Sequence, residues 1–291
     1  MQHILSQIFD SQPWAISLSG WRGILACMQD PTWPSARDAH AASAGGGRAS
    51  AQSLQVAVAG DGRKIGVMRV SGPMVKGVDE KLCEWLGWCS MDSIHAQAAR
   101  AEAEGINTLV VHLDSPGGMV CGTAEAADRL KELRDKGMHV IAYTDTMACS
   151  AAYWLAAACD EVVSSPSAIV GSIGCICMVI DISQMLKEAG VEVNYFVNEG
   201  SEAKAYGRLG TAVTDEARAA FQASVNAVGV RFKADVAAGR PGLAMEDMNG
   251  GHWGAADAPK GYVDFMSYTD RMGSGRMVRT IGDVVAFLQG L

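Results

Sequence analysis

From Leu54 to Gly239, short apolar runs alternate with longer amphipathic ones, and this alternation restricts the fold more than any other feature. KIGVMRV, NTLVVHL, MHVIAYT and EVVS have the length and β-branched content of buried strands. Between them, Ser90–Glu104 (ended by Gly105) and TAEAADRLKELRDKG have helical spacing. Strands that alternate with helices of this length pair in parallel through crossovers, so the sequence predicts an α/β fold with a largely parallel sheet. LQVAV, the turn GDGR and KIGVMRV form a hairpin at its start. Further strands are expected around CICMVI and over VEVNYFV, separated by the short helix DISQMLKEAG. A long helix follows, TDEARAAFQASVNAVGVRFKADVAAG, with Thr214 as its cap and Asp215 and Glu216 where the helix dipole favours acids. There is no internal repeat of fixed period.

Three regions follow from this patterning. Residues 1–53 read as an N-terminal helical arm, helical to about Met28, and a flexible Ala/Ser/Gly linker. Residues 54–272 form the α/β domain, and residues 273–291 a C-terminal helical tail.

A net charge of −8 on 291 residues gives no basic face for a phosphate backbone, so no nucleic acid partner is expected. The amino terminus, MQHILSQIFDSQPW, has neither the basic region nor the apolar stretch of a secretory signal. The longest apolar run, Ala148 to Cys159, has twelve residues, against the ~20 a helix needs to span a bilayer. These features point to a cytoplasmic location off the membrane. The eight cysteines are therefore expected to be reduced, and their spacings match no zinc pattern. No metal or cofactor is expected.

Within that apolar run, ACSAAYWLAAAC, stands Ser150. A buried unpaired hydroxyl costs roughly 1–3 kcal/mol. A helix N-cap explains it, since AAYWLAAA is a good helix. Chemistry explains it as well, because Ser150 follows strand MHVIAYT, while the neighbouring strand NTLVVHL ends in Asp114-Ser-Pro-Gly-Gly. Ligands in open α/β sheets sit beyond the carboxyl ends of the strands. The amides of Gly117 and Gly118 and that of Ala151 could there hold an oxyanion.

A serine nucleophile needs a base. Of the histidines, His112 lies within a strand, where a packing role is expected, and His252 sits in the loop GGHWG. Asp114 and Asp145 show no imidazole partner in the sequence. A neutral lysine is the alternative base. Lys204, in NEGSEAKAYGR, is either that base or a surface loop residue, with Glu202 near enough to hold it charged.

Asp114-Ser-Pro-Gly-Gly, SAAYW, Val170-Gly-Ser-Ile-Gly and the Gly200–Lys204 loop occur in that order. Together they resemble the serine peptidases of the signal peptide peptidase A family, most closely the phage capsid assembly (head maturation) proteases. The likeness runs from about Val67 to Asp264 and includes WGAADAPKGYVD, similar to that family's closing motif G-x-x-A-x-x-x-G-x-x-D. The amino-terminal SQPWAI is similar to the phage branch. The resemblance implies a Clp-protease/crotonase-like fold of repeated ββα units. It implies a Ser-Lys dyad, with Ser150 as nucleophile, Lys204 as base and Ser172 orienting the lysine. Gly117, Gly118 and Ala151 would be the oxyanion donors. Cys149 beside Ser150 departs from the family pattern; as a thiol nucleophile it would lack a histidine partner, and core packing is expected of it. The resemblance further implies an ATP-independent endopeptidase acting on scaffold, capsid or portal proteins as a homo-oligomer. Its rivals are a catalytically silent capsid-interior module, a bacterial signal-peptide-degrading peptidase and acyl-CoA chemistry on a related fold.

Overall fold

A computed structural model describes residues 14–16, 53–266 and 280–290. In chain order the strands and helices are β1 (Trp14–Ile16), β2 (Gln55–Val58), β3 (Lys64–Ser71), β4 (Met74–Val75), α1 (Glu80–Leu86), β5 (Cys89–Ser90) and α2 (Met91–Ala103). Then come β6 (Thr108–Asp114), β7 (Gly117–Met119), α3 (Thr123–Asp135), β8 (His139–Thr144), β9 (Met147–Cys149), α4 (Ala151–Ala157), β10 (Glu161–Ser164) and β11 (Ile169–Gly171). The last are α5 (Ser183–Glu188), α6 (Asp215–Gly239), β12 (His252–Gly254) and α7 (Ile281–Leu288).

The main sheet has the order β10-β8-β6-β3-β2. β10, β8, β6 and β3 are parallel, and β2 closes the edge as the antiparallel arm of the expected hairpin. After each long strand the chain turns out of this sheet into a short one before the helix begins: β6-β7-α3, then β8-β9-α4. The short strands join two further sheets, β1-β7-β4-β5 and β12-β11-β9. This repetition is the ββα architecture the resemblance implied.

Both faces of the main sheet are covered, which is why its strands read as nearly continuous apolar runs. Leu109, Val111 and Leu113 of β6 face a core shared with α2, α3 and α4. Val110 joins Ile65, Val67, Ile141 and Tyr143 under Val284 of α7. Period-two alternation makes this division between the faces. Trp154 of α4 stacks on Phe232 of α6 at 4.3 Å and 7°, and its indole nitrogen donates to Asp235 at 3.0 Å. Ser90 and Thr214 cap α2 and α6 through their side chains, the second as read from the sequence.

Three expectations are corrected. CICMVI is not a strand beyond a single bridge at Ile176, and VEVNYFV is not a strand at all. The pattern of VEVNYFV is strand-like, but Val191, Val193, Tyr195 and Phe196 are exposed, the last 96%. Among the described residues no strand pairs with the segment to take its backbone groups, and alternation alone cannot supply one. Third, Trp14–Ile16, inside the stretch read as helical, is a strand, because its backbone pairs with β7. The remaining residues up to 52, and those from 267 to 279, lie outside the described residues.

Candidate active site

The strand-to-helix turn at Ser150 decides between cap and chemistry. Ser150 is the residue before α4, yet its side chain accepts no hydrogen bond from the helix amides. Its hydroxyl instead donates to the carbonyl of Gly174 at 3.3 Å. Its backbone has φ 55° and ψ −118°, a left-handed conformation for a residue with a side chain. Such a conformation costs on the order of 1–3 kcal/mol and persists only where its surroundings enforce it. The enforcement is visible. The Ser150 amide donates to Gly171 O at 2.7 Å, while the Cys149 amide donates to Ser115 O at 3.1 Å. The turn is thus clamped between the Ser-Pro-Gly-Gly turn on one side and the Gly-Ser-Ile-Gly segment on the other. A sharp, strained turn that lifts a serine off a strand end is how nucleophilic serines are presented on other α/β sheets.

The Ser-Pro-Gly-Gly turn is held as firmly. Ser115, fully buried, donates to Gly72 O at 2.7 Å and accepts from the Gly117 amide at 3.2 Å. Gly117 takes φ 100°. A Cβ on Gly118 would lie 1.9 Å from the Met74 carbonyl oxygen, so no side chain fits there. The Ala151 amide stands in the first turn of α4, where amides have no intrahelical acceptor. An oxyanion near Gly117 would share its amide with Ser115 Oγ.

Two carboxylates tie the strand ends together. Asp114 accepts from Thr146 Oγ1 at 2.6 Å. Asp145 lies 3.0 Å from Nε2 of buried His112. This corrects the reading that Asp145 has no imidazole partner. β6 and β8 align His112 with Tyr143, a register that residue spacing along the chain does not reveal. Neither member of the pair bonds to Ser150, so this is bracing rather than a triad.

Ser172 also has positive φ, 59°, and its amide donates to Gly251 O at 2.5 Å. His252 pairs with Gly171 across β12 and β11, and its side chain is exposed. Lys204 lies in a single 3-10 turn, Glu202–Ala205, and is exposed. Ser150 and Lys204 are not hydrogen-bonded within the chain, nor are Ser172 and Lys204. Glu202 does not pair with Lys204 either; its carboxylate accepts from the Gly200 amide at 3.0 Å. Hydrogen bonds thus tie Ser150 to the Gly171–Gly174 segment that carries Ser172 and, through Cys149, to the Ser115 turn that carries Gly117 and Gly118, while Ala151 follows in the chain; none ties Lys204 to Ser150. The carbonyls of Gly171 and Gly174 and the hydroxyl of Ser115 were not identified from sequence. The two Gly-rich motifs that contain them were the available signal.

Burial pushes the Cys149 thiol up to about 12, which removes it as a rival nucleophile. Cys89 and Cys159 are raised to about 12 by the same cause. Iodoacetamide at pH 8 should therefore alkylate exposed Cys121 in the native protein and spare these three. Peptide mapping checks this, and alkylation of Cys149 at the rate of Cys121 would contradict the packing.

Beyond Gly174 the chain runs along α6 and forms a cleft of about 660 Å³, lined among others by Cys175, Ile176, Val179, Phe221 and Val225. It begins one residue from the acceptor of the Ser150 hydroxyl.

Residues 132–276 match the family model "Peptidase family S49". "Probable protease SohB" of Buchnera aphidicola subsp. Acyrthosiphon pisum is 32% identical over 164 residues, 56% of this chain and 48% of that protein. "Capsid assembly protease C" of Escherichia phage lambda is 29% identical over 175 residues, 60% of this chain and 39% of that protein. The chain spans about half the length of the SohB relatives it matches. The solved ClpP protease catalytic domain from Plasmodium falciparum aligns at 10% identity with a TM-score of 0.41, covering 68% of this chain and 83% of that one.

Proposed function

Residues 132–276 place this chain in peptidase family S49, and from that premise we propose that it is an ATP-independent serine endopeptidase with Ser150 as nucleophile. The observation that carries the reading is the strained Ser150 turn, whose hydroxyl caps nothing and lies between two glycine-rich turns. Ser150 Oγ attacks the scissile carbonyl while a base takes its proton. The oxyanion is met by amides of Ala151 and of the Gly117–Gly118 turn. The leaving amine receives the proton, and water then hydrolyses the acyl-enzyme by the same route in reverse.

We assign the base to Lys204. Since a single chain leaves it exposed, the proposal requires a second copy to deliver it. The surface around it supports that requirement: Ile180, Val191, Phe196 and Leu209 are exposed on the same segment. Several large exposed apolar side chains along one segment favour an interaction site. Assembly would bury the amine, and burial favours its neutral form. Ser172 would then orient it.

For substrates we propose scaffold, capsid or portal proteins of a phage head, cleaved in the host cytoplasm or the procapsid interior. The supports are the phage-like SQPWAI segment and the similarity to two phage proteins, the lambda protease and "Head-tail preconnector protein GP5" of Enterobacteria phage P21. Among the described residues, no helix is long and apolar enough to cross a membrane. The SohB likeness favours a second reading, a bacterial housekeeping peptidase.

Fluorophosphonate labelling of the purified protein, read by peptide mapping, tests the chemistry. Ser150 should carry the label, and Ser150→Ala should carry none. Absence of label in the assembled oligomer would favour the silent structural module. Coexpression with the head proteins of its own source, and mapping of the cleaved ends, separates the two substrate readings.

A further inference from the structure

β1 is the outermost strand of its sheet and lies on the strand that leaves the Ser-Pro-Gly-Gly turn. The pairing is antiparallel, with Trp14 opposite Met119, Ala15 opposite Gly118 and Ile16 opposite Gly117. β1 therefore runs toward the Gly117 end of β7. That end continues into Ser115, which is bridged to Ala148, two residues before Ser150. In acyl transfer to serine, the residues amino-terminal to the scissile bond approach the nucleophile with the attacked carbonyl at their carboxyl end. β1 has that same polarity. Ser150 and Ser115 are both 0% exposed, and Gly117–Met119 are buried, in the chain that carries β1 on this edge. A sheet edge of this kind accepts an extended peptide through backbone hydrogen bonds, with little dependence on its sequence.

We propose that Trp14–Ile16 is an intramolecular occupant of the acyl-side substrate edge, held antiparallel on β7, and that a protein substrate displaces it to reach Ser150. This rests on the peptidase reading of the site. A three-residue strand makes few ladder bonds, so the occupant is exchangeable rather than part of the permanent sheet. Peptides that resemble SQPWAIS in backbone reach, free of proline across the paired residues, are the ligands this edge takes.

The test uses the full chain with Ala15→Pro, which removes a strand amide and strains the centre of β1. Three quantities are compared with the unaltered chain: the rate of fluorophosphonate labelling at Ser150, KM and kcat on a peptide substrate, and hydrogen exchange of the Gly118 and Met119 amides. The expected result is labelling about fivefold faster, matched by a fivefold lower KM at unchanged kcat, the effect of about one net hydrogen bond. Exchange at the β7 amides should rise, and added SQPWAISLSG peptide should restore slow labelling. Equal labelling rates overturn the proposal: with faster exchange at the β7 amides, β1 leaves the edge without opening the site, and with unchanged exchange β1 is not held by the ladder proposed. No label in either chain overturns the peptidase reading, and this proposal with it.

Discussion

Lys204→Ala lowers kcat/KM by roughly 10²–10⁴-fold, the usual contribution of a general base, while His252→Ala leaves it within a few-fold of the unaltered enzyme. The contrast matters because the fold brings His252 closer to the nucleophile than the primary structure suggests. His252 lies opposite Gly171, and Gly171 lies opposite Cys149, so two strand spacings separate it from the residue before Ser150. Lys204 has no such link within one chain. A pH profile separates the two bases. A lysine base gives a rate that rises with pH as the ammonium loses its proton, with no inflection at the imidazole value of about 6.5. An inflection there that is lost in His252→Ala and kept in Lys204→Ala would replace the dyad with a serine–histidine pair. If Lys204 is supplied by a neighbouring copy, mixing inactive Ser150→Ala with inactive Lys204→Ala restores activity in the mixed oligomer. No recovery on mixing would place the lysine in its own subunit or remove it from the chemistry.

Asp264→Ala destabilises the fold by about 3 kcal/mol, the low end for breaking a buried ion pair. Arg240, at the carboxyl end of α6, is 5% exposed. It donates to Gly261 O at 3.1 Å and to Asp264 at 2.5 Å. The other Asp264 oxygen accepts from the Val162 amide of β10 at 2.8 Å. Removal of the carboxylate strands a guanidinium in the interior and frees a strand amide. The low end applies because the Asp264 side chain is 33% exposed, which lets water compensate part of the loss. Replacement of both residues, Arg240→Met with Asp264→Ala, should cost less than Asp264→Ala alone, since no charge is then left buried. Urea denaturation with both transitions measured at one m-value checks this. A loss below about 1 kcal/mol for the single variant would mean that Arg240 finds water.

The Asp264 site also shows what the closing motif is for. WGAADAPKGYVD is known from the sequence only by its likeness to the family's closing motif, and nothing in its composition says what it packs against. In the fold, Gly261 at φ 100° passes within reach of the Gly242–Leu243 backbone, and Tyr262 O accepts from Tyr153 of α4 at 2.8 Å. The segment locks α6, α4 and β10 together behind the nucleophile.

The core strands and long helices were legible because their signals are local. Apolar period and length specify β3, β6, β8 and β10, and caps such as Thr214 end in a side-chain bond to the adjacent turn. The same reasoning misjudged VEVNYFV, where a strand's pattern lacks a strand's neighbour. It also misjudged Trp14–Ile16, where the neighbour β7 lies a hundred residues away in the chain. Ser150 could be named from its motif, but not relieved of its capping role. That needed φ and the hydroxyl's partner, which depend on the Gly171–Gly174 segment arriving from another unit of the fold.

By itself, then, the sequence determined the α/β alternation, the two glycine-rich turns and a serine between small residues, because each is written in contiguous residues. Only the tertiary structure decided that the serine is strained and uncapped, that His112 braces Asp145, that β1 covers the edge of β7, and that Lys204 is exposed and makes no hydrogen bond to Ser150 in one chain. Those are relations between distant segments. They are fixed by strand register and by the backbone groups each turn must satisfy, and no local pattern encodes either.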